Sequence, residues 1–167
     1  CRDAVSGDVI STTLLESGLN PAEFLVSWTL NGTVVGQGPD FVASEAGVYT
    51  VSTEKLNPEI GADCNYNPTT VEVFESAVPV LDAEVSQPFA ETSVIEVIIT
   101  QGFGTYEYKL DNDFFQESPR FENVQPGVHT VTVRGVNGTC GAAVIEVLVI
   151  DYPRYFTPNG DGFHDTW

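Results

Sequence analysis

The residues best suited to chemistry lie near the end of the sequence, in Asn159-Gly160-Asp161-Gly162-Phe163-His164-Asp165. Side-chain oxygens at the first, third and seventh positions, with a backbone carbonyl near the fifth, are what a hard cation such as calcium requires. The two glycines let the backbone curl around an ion. Asn159, Asp161, the Phe163 carbonyl and Asp165 are therefore the candidate calcium ligands, and calcium is the one candidate cofactor. Three side-chain oxygens fall short of the roughly six to eight ligands calcium takes. Asp151, waters or further residues would have to complete the shell. The competing reading is an Asx-rich turn whose side chains bond their own backbone.

Other chemistries find little support. The sequence has no G-x-S-x-G, no H-E-x-x-H and no glycine-rich phosphate loop following a strand. Gly102-Phe103-Gly104 lacks both a third glycine and a following helix. No catalytic residue is assigned, and an enzyme is not expected. His129 is expected to be a half-buried strand residue bonded to backbone rather than a ligand or base. With 24 acidic and 6 basic residues the net charge is −18. That argues against binding nucleic acid by phosphate neutralisation. No run of eighteen apolar residues and no signal-peptide pattern appears.

Cys1, Cys64 and Cys140 form no C-x-x-C pair, and with two histidines a zinc site is not expected. A disulfide in an extracytoplasmic β-protein is the better reading. The expected pair is Cys1–Cys64, with Cys140 left single. A mature bacterial lipoprotein would also begin with cysteine. The start at Cys1 and the absence of methionine suggest a mature fragment rather than a complete reading frame.

The elements that must carry these residues read as all-β. Short β-rich runs alternate with Gly, Pro, Asn and Asp at roughly ten-residue spacing, the pattern of sandwiches. Strands are predicted at Asp8–Leu15, Glu23–Leu30, Thr33–Val35, Phe41–Ala43, Val48–Thr53 and Thr70–Phe74. A second set follows at Val80–Val85, Ser93–Thr100, Thr105–Leu110, Phe114–Gln116, Arg120–Glu122, Val128–Arg134 and Ala143–Ile150. Asn31-Gly32 is a two-residue hairpin signal.

The halves are copies. Shifted by 80 residues, Trp28 falls on Tyr108, Leu30 on Leu110, Pro39 on Pro119 and Phe41 on Phe121. Gly47-Val-Tyr-Thr-Val51 falls on Gly127-Val-His-Thr-Val131 without a gap. Such repetition means an array of like modules. Two immunoglobulin-like β-sandwich modules are expected, at residues 1–76 and 77–151, with residues 152–167 starting a third unit. Trp28 and Tyr108 should plug the cores, and Tyr49 should form a tyrosine corner. The first module lacks a convincing first strand: either that strand lies upstream or the module does without it, and an unpaired sheet edge there would be a site for strand addition. The short linker Glu75–Pro79 should limit hinge motion without abolishing it, so an extended, semi-rigid pair is expected.

The run Gly102-Phe-Gly-Thr-Tyr-Glu-Tyr-Lys-Leu-Asp111, followed by Phe121 to Cys140, resembles the SprB-type or PKD-like repeats of gliding Bacteroidetes surface adhesins. Here His129 stands where tyrosine is usual, and Thr139 separates Gly138 from Cys140. In that family a cysteine at the start of the second strand often pairs with one in the final hairpin, a position that Cys1 and Cys64 match.

The end of the sequence is more specific. Tyr155-Phe156-Thr157-Pro158-Asn159-Gly160-Asp161-Gly162-Phe163-His164-Asp165-Thr166-Trp167 closely resembles the opening of the type B sorting domain of the type IX secretion system, also called the gliding motility-associated C-terminal domain. The matching motif is carried by Phe156, Thr157, Pro158, Asn159, Gly160, Asp161, Gly162, Asp165 and Trp167. The resemblance implies a Bacteroidetes protein exported across the outer membrane to the cell surface or medium. It implies as partners the type IX translocon and an accessory PorP/SprF-like outer-membrane barrel. The function expected is a stalk, or adhesin-type segment, that ends in the start of an export signal. Two alternatives stand beside it: an immunoglobulin-like module that binds a glycan or protein, with loop residues Phe103, Phe114 and Phe115 as contacts, and the anchor of an enzyme whose catalytic domain lies upstream.

Overall fold

The computed structural model describes residues 1–57, 68–86, 93–137 and 140–150. Among these, every regular element is a strand. The first module holds β1 (Thr13–Glu16), β2 (Phe24–Leu30), β3 (Thr33–Gln37), β4 (Asp40–Ala43), β5 (Gly47–Lys55) and β6 (Thr69–Val73). The second holds β7 (Val80–Val85), β8 (Ser93–Gln101), β9 (Tyr106–Leu110), β10 (Arg120–Val124), β11 (Gly127–Gly135) and β12 (Ala142–Val149). Each module is a sandwich of two antiparallel sheets. In the first, β1-β4 faces β3-β2-β5-β6; in the second, β10-β8-β7 faces β12-β11-β9.

The repeat is visible in the strands themselves. β11 spans the residues of β5 shifted by 80, and both open on a glycine with positive φ, 145° at Gly47 and 147° at Gly127. Alternation along the strands sends every second side chain inward. Val26, Trp28 and Tyr49 meet Leu15 and Ala43 in one core. Tyr106, Tyr108, Leu110, Val131 and Val133 meet Ile95, Val97 and Phe121 in the other. Trp28 is 2% exposed and Tyr108 8%, so both plug their cores as expected. The Trp28 ring lies beside Phe41, centroids 6.2 Å apart, and its indole N–H donates to the Gly38 carbonyl at 3.0 Å. That bond satisfies the one polar atom the ring buries.

Asn31 and Gly32 both have positive φ, 50° and 82°, and link Leu30 to its partner Thr33. This is the two-residue hairpin whose twist matches the strands on either side. The copy in the second module differs. The predicted strand Phe114–Gln116 does not form; a single bridge joins Gln116 to Tyr108. The Gln116 side chain instead donates to the Ser118 and Arg120 carbonyls, which ties the segment into a turn.

The predicted strand Asp8–Leu15 also shortens. Residues 1–11 fold back as a hairpin with a bridge between Arg2 and Val9. The Asp3 carboxylate accepts the Val5 and Ser6 amides at 2.9 and 2.8 Å, an Asx turn that reverses the chain before β1 begins. Among the described residues β1 has β4 as its single partner, whereas β8 lies between β10 and β7.

Candidate functional site: the module junction

The side chains that act together in this structure gather where the two modules meet. Cys1 is bonded to Cys140, with Cα atoms 5.5 Å apart. This corrects the expected pairing Cys1–Cys64 and the expectation of a single Cys140; Cys64 itself lies outside the described residues. The reason is tertiary. Cys140 sits between β11 and β12, and that end of the second module rests on the amino-terminal hairpin of the first. Arg2, the next residue, ties the start of the linker to the same hairpin. Its Nε donates to Glu75 Oε1 at 2.8 Å, its Nη1 to the Gly7 carbonyl at 2.9 Å, and its backbone N–H to the Ser76 carbonyl at 2.9 Å.

The linker is therefore not a solvated tether. Ala77 is fully buried and Ser76 nearly so. The Ser76 carbonyl also lies 3.4 Å from Cys140 Sγ. A disulfide sulfur carries no proton, so this is a packing contact rather than a hydrogen bond. Gly104 has φ 93°, and a Cβ there would fall 2.6 Å from the Glu75 carbonyl oxygen. Only glycine lets the loop before β9 seat against the linker. The Phe103 ring lies over Gly7, whose own Cβ would meet it at 3.7 Å. Phe103 is thus a half-buried junction residue and not a free loop aromatic.

Beside the linker is a cleft of about 430 Å³, whose lining includes Glu72, Phe74, Glu75, Gly104 and Asn137. Among the described residues its lining offers no cysteine, histidine or cluster of cations. Among the described residues no group of three His, Cys, Asp or Glu side chains is placed to hold a metal. The calcium candidates Asn159, Asp161, Phe163 and Asp165 lie outside the described residues. So does the rest of the sorting motif, Phe156, Thr157, Pro158, Gly160, Gly162 and Trp167.

Two further clusters lie in the second module. Phe115 is covered by cations: the Arg134 guanidinium sits 3.9 Å and the Lys109 ammonium 5.4 Å from its ring centroid. Arg134 is also paired to Glu107. Neighbouring Phe114 is 96% exposed. Neither phenylalanine enters the core. The second cluster is His129, whose two ring nitrogens reach Asp111 and the Gln125 carbonyl. The hydrogen bond to the Asp111 carboxylate raises its pKa above the usual histidine value, and the bond to the Gln125 carbonyl raises it further, against a smaller lowering by burial. Asp111 is lowered, first by the Thr130 backbone N–H and then by His129.

Sequence reasoning missed the Cys1–Cys140 bond and the Arg2 anchor. A signal for the first was present. Cys140 lies in the Asn137-Gly-Thr-Cys140 sequence signal, and the resemblance to the adhesin repeats implied a paired cysteine in such a place. Nothing in sequence spacing singles out Arg2. No protein-family model matches the chain, and no curated protein matches it.

Proposed function

We propose that the chain is a structural segment of a secreted or cell-surface protein. Its two sandwiches act as a stalk, and residues 152–167 begin an export signal read by the type IX translocon with a PorP/SprF-like barrel. The observation that carries the stalk reading is the junction. A disulfide and a buried linker hold one module to the next, and Arg2 pins that linker to the amino-terminal hairpin, which is what a load-transmitting spacer needs and a flexible tether lacks. A disulfide of this kind also suits an oxidising, extracytoplasmic setting. The export reading rests on the sorting motif in the sequence.

Spin labels on exposed positions of the two modules test the stalk. The inter-label distance distribution should be narrow in the oxidised protein and broaden after reduction. A broad distribution before reduction would sink the stalk reading. For export, antibody to this chain should label intact source cells or their medium, and the signal should be lost in a strain lacking the translocon. Retention of surface signal in that strain would rule out the type IX route.

One observation favours a second reading, in which the second module binds a surface glycan or protein. Phe114 stands free in solvent beside Phe115, which is stacked under Lys109 and Arg134. Glycan-array or pull-down signal that falls with Phe114→Ala would support it; signal unchanged by that substitution would not.

A further inference from the structure

The corner that ties β5 in the first module, and β11 in the second, to the turn before it is built differently in the two. In the first, Tyr49 donates its phenol O–H to the carbonyl of Glu45, four residues back, at 2.8 Å. In the second, His129 occupies the equivalent place and its Nε2 lies 2.7 Å from the carbonyl of Gln125, again four residues back. The tether is the same, but imidazole has a second nitrogen. Nδ1 lies 2.8 Å from Asp111 Oδ2. Asp111 follows β9 with φ 48°. It makes two hydrogen bonds with Thr130: its Oδ1 accepts the Thr130 N–H at 2.8 Å, and its own N–H donates to the Thr130 carbonyl at 2.7 Å; beyond it, the Asp113 N–H donates to the Leu110 carbonyl at 3.0 Å.

A carbonyl oxygen and an ionised carboxylate both accept hydrogen bonds and donate none. A neutral imidazole has one N–H and so can serve only one of them; the imidazolium serves both. We propose that His129 is a protonation-dependent clasp that joins the Asp111–Phe115 loop to the Gln125 turn across β11, and loosens that join when the ring loses its proton. The loop it governs is the one that carries Phe114 and Phe115.

The charges around the ring are few. Asp111 is the titratable group hydrogen-bonded to it. The turn before β11 presents the Gln125 carbonyl and no ionisable side chain. On β12 the residue opposite His129 is Val147, and Glu146, opposite Thr130, makes no hydrogen bond to the ring. From β10, Glu122 is paired with Arg120 instead. The sign follows from the partners. The histidine pKa is raised in the folded protein, so the clasp is complete below about pH 6.5, the unperturbed value. It is lost as pH rises through the raised folded value. The Asp111 pKa is lowered, so the carboxylate half fails only in acid, below the usual aspartate range.

The test is carried out on the whole chain. Imidazole nitrogen NMR should show protons on both Nδ1 and Nε2 of His129 at pH 6, with a titration midpoint above the ordinary histidine value that falls in Asp111→Asn. Amide exchange of residues 111–116, corrected for the intrinsic effect of pH, should accelerate about tenfold or more once the ring deprotonates. In His129→Tyr the phenol keeps the Gln125 tether, as Tyr49 keeps its own, and the pH step in exchange should vanish. A single N–H on the ring at pH 6, or loop exchange without a step in the parent protein, overturns the proposal. If His129→Tyr does not fold, Asp111→Asn provides the same comparison, with Val131 and Val133 amides reporting whether the core is intact.

Discussion

At the residue scale the two copies of the repeat show how one side chain sets a local property. Tyr49 is fully buried and makes one hydrogen bond to the Glu45 carbonyl. Replacing it with phenylalanine keeps the packing and leaves that carbonyl without its partner. Tyr49→Phe should cost about 1–2 kcal/mol, read as a lower urea midpoint with an unchanged slope. Tyrosine at this position needs only its own O–H. Histidine does the same work on condition of a proton. The sequence showed which residues were equivalent, and so which corner would be the odd one. It did not show Asp111 as the second partner, because the two residues are brought together only when β9 and β11 pair.

At the scale of elements, the strands were largely legible. β2, β5, β7, β8 and β11 form where alternating apolar residues and flanking turn residues place them. Trp28 anchors the first core against Phe41 and Tyr49. Trp28→Ala should destabilise that module by about 3–5 kcal/mol and leave the second transition in a calorimetric scan unmoved. The predicted strand Asp8–Leu15 shortens and Phe114–Gln116 does not form, for a shared reason. At Asp3 and at Gln116 a polar side chain bonds nearby backbone and makes a turn cheaper than a ladder. Gly104 shows the opposite constraint, where the need is for no side chain. A Cβ there would collide with the Glu75 carbonyl, and the φ of 93° disfavours any other residue. Gly104→Ala should loosen the junction more than the cores. Proteolysis within residues 75–79 should speed up while both thermal transitions remain.

For the whole molecule, the decisive bond is Cys1–Cys140, with a sequence separation of 139. A loop of that length confers about 5 kcal/mol in the chain-entropy account, as an upper figure. Each module has its own core, so much of that effect goes into keeping the modules docked. Cys140→Ser should therefore broaden inter-module distances strongly and shift each module's melting temperature little; distance measurement and calorimetry on the same samples separate the two. The surface ion pair between Arg2 and Glu75 is worth less, about 1 kcal/mol or below, and serves mainly to orient the linker. The calcium reading of residues 159–165 belongs at this scale too, since a closing ligand must come from elsewhere. If residues 159–165 take calcium, calorimetric titration of the chelator-treated protein should show uptake that Asp161→Asn weakens. No heat above dilution would leave the Asx-turn reading in its place.

Periodicity, turn residues and the 80-residue repeat were enough to determine that this chain makes two antiparallel sandwiches with Trp28 and Tyr108 in their cores. Those signals are local: each depends on residues within one strand or one hairpin, and the repeat states them twice. Which cysteines join, what the linker packs against and which partner gives His129 its second hydrogen bond were decided only by the tertiary structure. Each of these depends on the position of one strand end relative to another that is distant in sequence. No spacing along the chain encodes that position until the sheets have closed and the modules have met.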